Sequence, residues 1–167
     1  SDPPGFIMAR ARWATAMKRA RTVAADKNAG DRARSLAIDF LALQNPAADA
    51  PFLKELVLTE NSLPIQLAAI RTLNAVPDET VTEFTMANWS RLKPAIQDAT
   101  LNTFMEKESR VKVLVDALES GKIDPSAIGW QRSIRLMTQR NIEVRNRARK
   151  MFEKGEQRKN VIDEYTA

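Results

Sequence analysis

A chain of 167 residues with 5 glycines is long enough to bury a core, and its wealth of Ala, Leu, Arg and Lys favours helix over sheet. It contains no cysteine and no histidine, which removes disulfides, thiolate nucleophiles, iron–sulfur ligation, imidazole ligands and the usual general base, and weighs against metal or triad catalysis. The formal charge of +5 is uneven: residues 1–30 carry six Lys/Arg against two Asp/Glu, residues 31–90 four against eight, residues 91–130 six against six, and residues 131–167 ten against five.

Pro3–Gly5 forms a lead-in turn. The start, Ser1-Asp2-Pro3-Pro4-Gly5, lacks the basic-then-apolar layout of a signal peptide and reads as an internal boundary with a tag scar at Ser1, so an excised piece of a longer protein is expected. No stretch approaches the ~20 apolar residues of a membrane-spanning helix. A first helix is predicted from Phe6 to Asp26, with Ile7, Trp13, Ala14, Met17, Ala20 and Ala24 as its stripe. Gly30 suits a left-handed turn after it. Asp31 is expected to cap a second helix, with Ala33, Leu36, Ala37, Phe40 and Leu41 inward, until Asn45-Pro46 breaks it. Asp49 then caps a short helix carrying Pro51 in its first turn and Phe52, Leu53, Leu56 and Val57 inward.

Pro64 opens a helix whose face is Ile65, Ala68, Ala69, Ile70 and Leu73, and Pro77 ends it. Asp78 caps a partner helix through Trp89, with Val81, Phe84 and Thr85 inward. Pro94 opens Pro94–Phe104. Ser109 caps a helix with the stripe Val111, Leu114, Val115 and Leu118, which Gly121 terminates. Asp124 or Ser126 caps Ala127–Gln139, whose apolar residues are Ile128, Trp130, Ile134, Leu136 and Met137. Asn141 precedes a last helix, Ile142–Phe152, with Val144, Ala148, Met151 and Phe152 on one side; Gly155 stops it, and an amphipathic tail follows with Val161, Ile162 and Tyr165.

The Val144–Ala148–Phe152 frame recurs as Ala33–Ala37–Leu41, Ile65–Ala69–Leu73 and Ile96–Thr100–Phe104. With Ala37, Ala69, Thr100 and Ala148 equivalent, the spacings are 32, 31 and 48 residues. The first two match a two-helix solenoid unit, roughly 31–47 residues across the helical repeat families. The third is longer because the Ala127–Gln139 helix is interposed. The sequence therefore predicts one all-α domain, a right-handed α-α superhelix (HEAT- or armadillo-like solenoid) of about four helical hairpin repeats. An irregular helical bundle is the alternative.

From Val113 onward the text is more specific. Leu114-Val115-Asp116-Ala117-Leu118-Glu119-Ser120-Gly121-Lys122-Ile123 resembles an "LLxALExGxI" line, and Arg132–Met137 running on to Val144–Ala148 continues it. Both are similar to the HEAT-like segment of the planctomycete-type (PVC-type) membrane-bound dehydrogenase or haem-binding multidomain proteins. Pro64–Leu73 and Trp89–Phe104 fit the preceding repeats, and Val161–Tyr165 resembles the linker to their cytochrome c module. The sequence departs at Ile134 and Gln139, where that segment often has Gln and His. The resemblance implies a scaffold spacing an upstream β-propeller from a downstream haem domain, on the cell-envelope or periplasmic side, with residues 156–167 as the tail towards the next domain. It transfers no catalytic residue, and no cofactor is expected in this chain.

Arg132, Arg135, Arg140, Arg145, Arg147, Arg149 and Lys150 form the candidate interaction face. Such a face reads first as a solvated helix surface supported by pairs such as Glu143–Arg147 at i, i+4. The alternatives are docking to an acidic neighbouring domain and binding phosphate or nucleic acid. Arg145 also suits a structural bridge to the next repeat. Trp89 and Trp130 read as core, and Trp13, beside Arg10 and Arg12, as exposed. Asp78, Glu79 and Glu83 complement a helix start, and Asp116 and Glu119 read as solvated.

The function expected is that of a non-catalytic, monomeric helical-repeat scaffold or protein-interaction module, whose partner is a neighbouring domain or another protein. A generic adaptor is indistinguishable from it at this level. The alternative is a DNA-binding HEAT-like protein similar to the alkylpurine DNA glycosylases, supported by a pI near 9.7. The acidic 31–90 block counts against nucleic acid.

Overall fold

A computed structural model describes residues 3–60, 62–76 and 80–153, and all regular structure among them is helical. The helices are α1 (Pro4–Ala25), α2 (Asp31–Leu41), α3 (Ala50–Thr59), α4 (Leu63–Asn74), α5 (Thr80–Ala87), α6 (Pro94–Phe104), α7 (Glu108–Glu119) and α8 (Trp130–Met137), and α9 covers residues 142–153. Short 3-10 turns occupy Pro46–Asp49, Trp89–Arg91 and Pro125–Ile128. The expected stops at Pro77 and Gly155, the Asp78 cap, the acids Asp78 and Glu79 and the Val161–Tyr165 tail lie outside the described residues. The chain divides into two compact units, Ser1–Thr100 and Leu101–Ala167, with the boundary inside α6.

In the first unit α1 packs on α2, α2 on α4, and α3 on α4. Helix α4 is its centre: Pro64 presets the first turn, and eight of its 12 residues are buried. Ile65, Ala68, Ala69, Ile70 and Leu73 are fully enclosed, as the apolar spacing requires. Each large side chain so buried contributes about 1.5–3 kcal/mol. Leu53, Leu56 and Val57 of α3 and Val81, Met86 and Trp89 after α4 complete the core, while Phe52 and Phe84 are half-buried. The Lys54 ammonium sits 5.4 Å from the Phe84 ring centroid, an attraction between α3 and α5.

Two expectations in this unit are corrected. Helix α2 buries Arg34, Ile38 and Leu41, and leaves Ala33 and Leu36 exposed with Ala37 and Phe40 half-buried. The helix is rotated by one position because the Arg34 guanidinium, not an alanine, is what the interior receives. With Ile38 in place of Ala37 the inward positions Ile38, Ala69 and Thr100 fall 31 residues apart both times. In α1 only Met17, Ala20 and Ala24 are buried; Ile7 and Ala14 are exposed. A helix of 22 residues runs about 33 Å, against about 16 Å for the 11 residues of α2, so its N-terminal half outruns its support.

The caps also differ from expectation. Gly30 has φ −64 and is the extended residue before α2, not a left-handed stop. Asp31 and Asp49 make no capping hydrogen bond; Asp49 accepts from Arg21 instead.

The second unit encloses Val111, Leu114, Val115 and Leu118 of α7 with Ile123, Ile128, Leu136, Val144 and Ala148. Helix α7 starts at Glu108 after Lys107, so Ser109 is not its cap. Gly121, at φ +73, ends it as expected. The Asp124 carboxylate accepts from the Ser126 amide and hydroxyl, each at 2.8 Å, which holds its pKa below the usual range. The Asn141 side chain receives the Val144 amide at 3.2 Å and starts α9. The helix expected over Ala127–Gln139 is broken at Gly129, whose φ of +76 and ψ of 156 suit glycine alone. That break turns Trp130 away from Ile128. Trp130 is 71 % exposed, against the expectation of a core residue, while Trp89 is 8 % exposed as expected.

Candidate interaction surfaces

The candidate arginine face belongs to α8, α9 and the connection between them. Most of its guanidiniums are engaged within the second unit. Arg147 donates to both carboxylate oxygens of Glu119 at 3.2 and 2.7 Å, makes a short ion pair to Asp116, and lies 3.8 Å from Glu143 one turn away. Asp116 and Glu119 therefore hold a cation across to α9, where simple solvation was expected. The hydrogen bonds from Arg147 hold Glu119 below the usual carboxylate range, and Glu119 and Asp116 raise the Arg147 pKa.

Arg132 donates to the Asn102 side chain at 3.0 and 2.7 Å and to the Ile128 carbonyl at 3.0 Å. Arg135 reaches the Met105 carbonyl, Arg145 the Gln139 carbonyl and Arg149 the Met137 carbonyl. Arg145 thus bridges locally to the connection before its own helix. The Arg140 and Lys150 side chains are exposed, and no hydrogen bond from either side chain to another described residue is seen. Lys150 lies near enough to Glu119 to favour its ionised form. Beside this surface stand exposed Trp130 and Ile142 and half-exposed Ile134. Arg110 of α7 is 4 % exposed, and its burial lowers its pKa.

Two features of the first unit escaped the sequence reading. Arg34 is buried, donates to the Ala24 carbonyl at the end of α1 and pairs with Glu60 at 2.9 Å. It borders a polar cleft of about 420 Å³ with Lys27, Asp31, Glu55 and Thr59. An arginine on an otherwise apolar helix stripe was the available signal. The second feature is an apolar groove of about 620 Å³ lined by Phe6, Ala9, Arg10, Trp13, Ala14 and Gln44. Trp13 is 40 % exposed and meets Phe40 with ring centroids 5.5 Å apart.

A set of polar ties between segments spans 28 to 34 residues, while others, such as Arg34 to the Ala24 carbonyl and Gln66 to the Val57 carbonyl, span 10 and 9. Arg71 holds Asp39, 32 residues away, and the Thr72 hydroxyl donates to the Ile38 carbonyl, 34 away. Ser62 donates to Asp31 over 31 residues, Arg21 to Asp49 over 28, Arg132 to Asn102 over 30, Asn141 to Glu108 over 33 and Arg147 to Asp116 over 31.

Among the described residues no three acidic side chains gather as a metal site would need, and no helix is long and apolar enough to cross a membrane. No protein-family model, curated protein or solved structure matches the chain. The fold class the structure supports is all-α.

Proposed function

We propose that this chain is a non-catalytic helical-repeat scaffold, a HEAT-like array of hairpins that presents surfaces to neighbouring domains or to a protein partner. The observation that carries the reading is a 31-residue recurrence of inward positions, with a set of polar ties of similar span. Inward residues Ile38, Ala69 and Thr100 repeat every 31 residues, and polar ties in both units join positions 28 to 34 apart. In a repeat stack each unit touches its neighbours, so contacts one repeat apart are its signature. Small inward side chains (Ala69, Thr100 and Ala148) let adjacent helices approach closely.

The resemblance to planctomycete-type membrane-bound dehydrogenase proteins fits this role, with the stack as a spacer between a propeller and a cytochrome c module. Nucleic acid is the less favoured occupant of the basic face. A protein that binds duplex DNA through several phosphates loses affinity steeply with salt, with a slope near −0.9 per contact. With Arg132, Arg135, Arg145, Arg147 and Arg149 engaged internally, few cations remain for such contacts.

The test is to purify the chain and measure circular dichroism, sedimentation, visible absorbance and gel shift with duplex DNA at low salt. A helical monomer, colourless and without DNA binding, is expected. A spectrum without helical minima or cooperative metal uptake would overturn the scaffold, and a salt-dependent shift would favour the DNA-binding alternative.

A further inference from the structure

The outer side of α8 is apolar and bare. Arg132 and Arg135 tie α8 to the Asn102 side chain and the Met105 carbonyl. At about 100° per residue, Trp130 and Ile134 each stand about 160° around the helix from Arg132, so they face away from that contact. Trp130 is exposed and Ile134 half-exposed. Arg145 and Arg149 of α9 donate to the Gln139 and Met137 carbonyls at the end of α8. Exposed Ile142 lies on the same side of α9 as those two arginines, turned from Arg147 and its α7 carboxylates. The apolar surface of α8 therefore continues onto the start of α9.

The chain itself supplies a cover. Residues 154–167 follow α9 and carry Val161, Ile162 and Tyr165 beside Asp163 and Glu164. Val161 is eight residues beyond Glu153, a distance of up to about 26–29 Å extended, against about 18 Å for the 12 residues of α9. Val161 can thus reach back past the start of α9 to α8. Register points to the same place. The ties Arg132–Asn102 and Arg135–Met105 set α8 beside the segment 30 residues earlier. One further step of 31 residues, the spacing of Arg147 and Asp116, carries Trp130 to Val161 and Ile134 to Tyr165, an apolar pair at the same i, i+4 spacing. Arg140, exposed in the connection just before Ile142, offers a cation to Asp163 or Glu164.

We propose that the Val161–Tyr165 segment folds back on its own chain and covers Trp130, Ile134 and Ile142, so that the last helical hairpin is capped by the tail. The terminal unit of a repeat stack needs a polar outer face to stay soluble, and Asp163 and Glu164 would supply it. A tethered segment meets its site at an effective concentration in the millimolar range, so a contact of only millimolar strength closes it. The proposal rests on reading the chain as a repeat scaffold, and names what closes one face of it.

The chain has no cysteine, so Thr166→Cys gives a single site for a nitroxide label on the full chain. In magnetic resonance spectra the label is expected to erase the Trp130 indole and the Ile134 and Ile142 amide signals, relative to the same sample with the label reduced. Val161→Ser, Ile162→Ser and Tyr165→Ser together keep the tether as long but remove the apolar contact, so those signals should return. Trp130→Ser, at a side chain that projects into solvent, should restore Ile134 and Ile142 in the same way. The proposal is overturned if the three signals survive the label, or if they are lost equally with and without the serines. It is also overturned if they are lost when unlabelled, isotope-enriched chain is mixed with labelled chain of natural abundance, which would make a second copy the occupant. Circular dichroism on the same samples separates the two readings: a helical chain without this signal loss defeats this proposal alone, and loss of the helical fold defeats the scaffold.

Discussion

The two units hold their helices together by different chemistry. The first is centred on α4, where Ile65, Ala68, Ala69, Ile70 and Leu73 are fully enclosed; its ion pair Arg34–Glu60 is buried, and Arg71–Asp39 and Arg21–Asp49 lie at the rim. In the second, a smaller apolar core is laced by guanidiniums, with Arg147 reaching two carboxylates of α7 and one of its own helix. The first unit thus buries an ion pair beside a large apolar core, and the second gathers its ion pairs around the partly exposed Arg147. Exposed pairs are individually weak and screened by salt, so the two units should differ most in how they respond to substitution, ionic strength and acid.

The largest effect is expected in the first unit. Leu73→Ala should cost about 2–5 kcal/mol, the range for emptying a closed apolar site, read as a lower urea midpoint with helical baseline unchanged. Arg34→Ala removes a buried donor from the Ala24 carbonyl and the cation from Glu60, and should cost about 1.5–3 kcal/mol. A loss as small as that of a surface arginine would show that α2 is not held by this group.

In the second unit Gly129→Ala should cost about 1–3 kcal/mol through backbone strain alone, because a Cβ there meets nothing within 4 Å. Arg147→Ala should cost at most about 1 kcal/mol, and less at high salt, since its partners are partly exposed. A double-mutant cycle with Glu119→Gln isolates the coupling. The pH dependence follows in sign. Glu119 has a lower pKa folded than unfolded, so its contribution is present above its unfolded value near 4.3 and lost as pH falls through the folded one. Thermal melts between neutral and acid pH, with and without Glu119→Gln, check this.

How much of this was legible in the sequence varies by helix. Pro94–Phe104 and the α4 face were readable because proline fixes the start and the apolar spacing is unbroken. Helix α2 was misregistered because a rule that turns every arginine outward cannot see the internal acceptors of Arg34, namely the Ala24 carbonyl and Glu60. Trp130 was misplaced because Gly129 reads as a tolerated helix residue until its positive φ is known. For the candidate face, the Glu143–Arg147 pair was legible from i, i+4 spacing. The Asp116 and Glu119 partners were not, since they come from another helix. The stripe read over Ile7, Ala14, Met17, Ala20 and Ala24 is buried only at its last three positions, because a one-dimensional pattern does not show that α2 is too short to cover α1, whereas Trp13 is exposed as expected.

Repeat stacking and an irregular bundle differ in how far a local defect travels. Native-state hydrogen exchange of Leu73→Ala, compared with the parent chain, reads this directly, because coupling in a stack runs between neighbours. Stacking predicts lost protection in α2, α3 and α4 with α7 and α9 nearly unchanged. An equal loss of protection in every helix would contradict it.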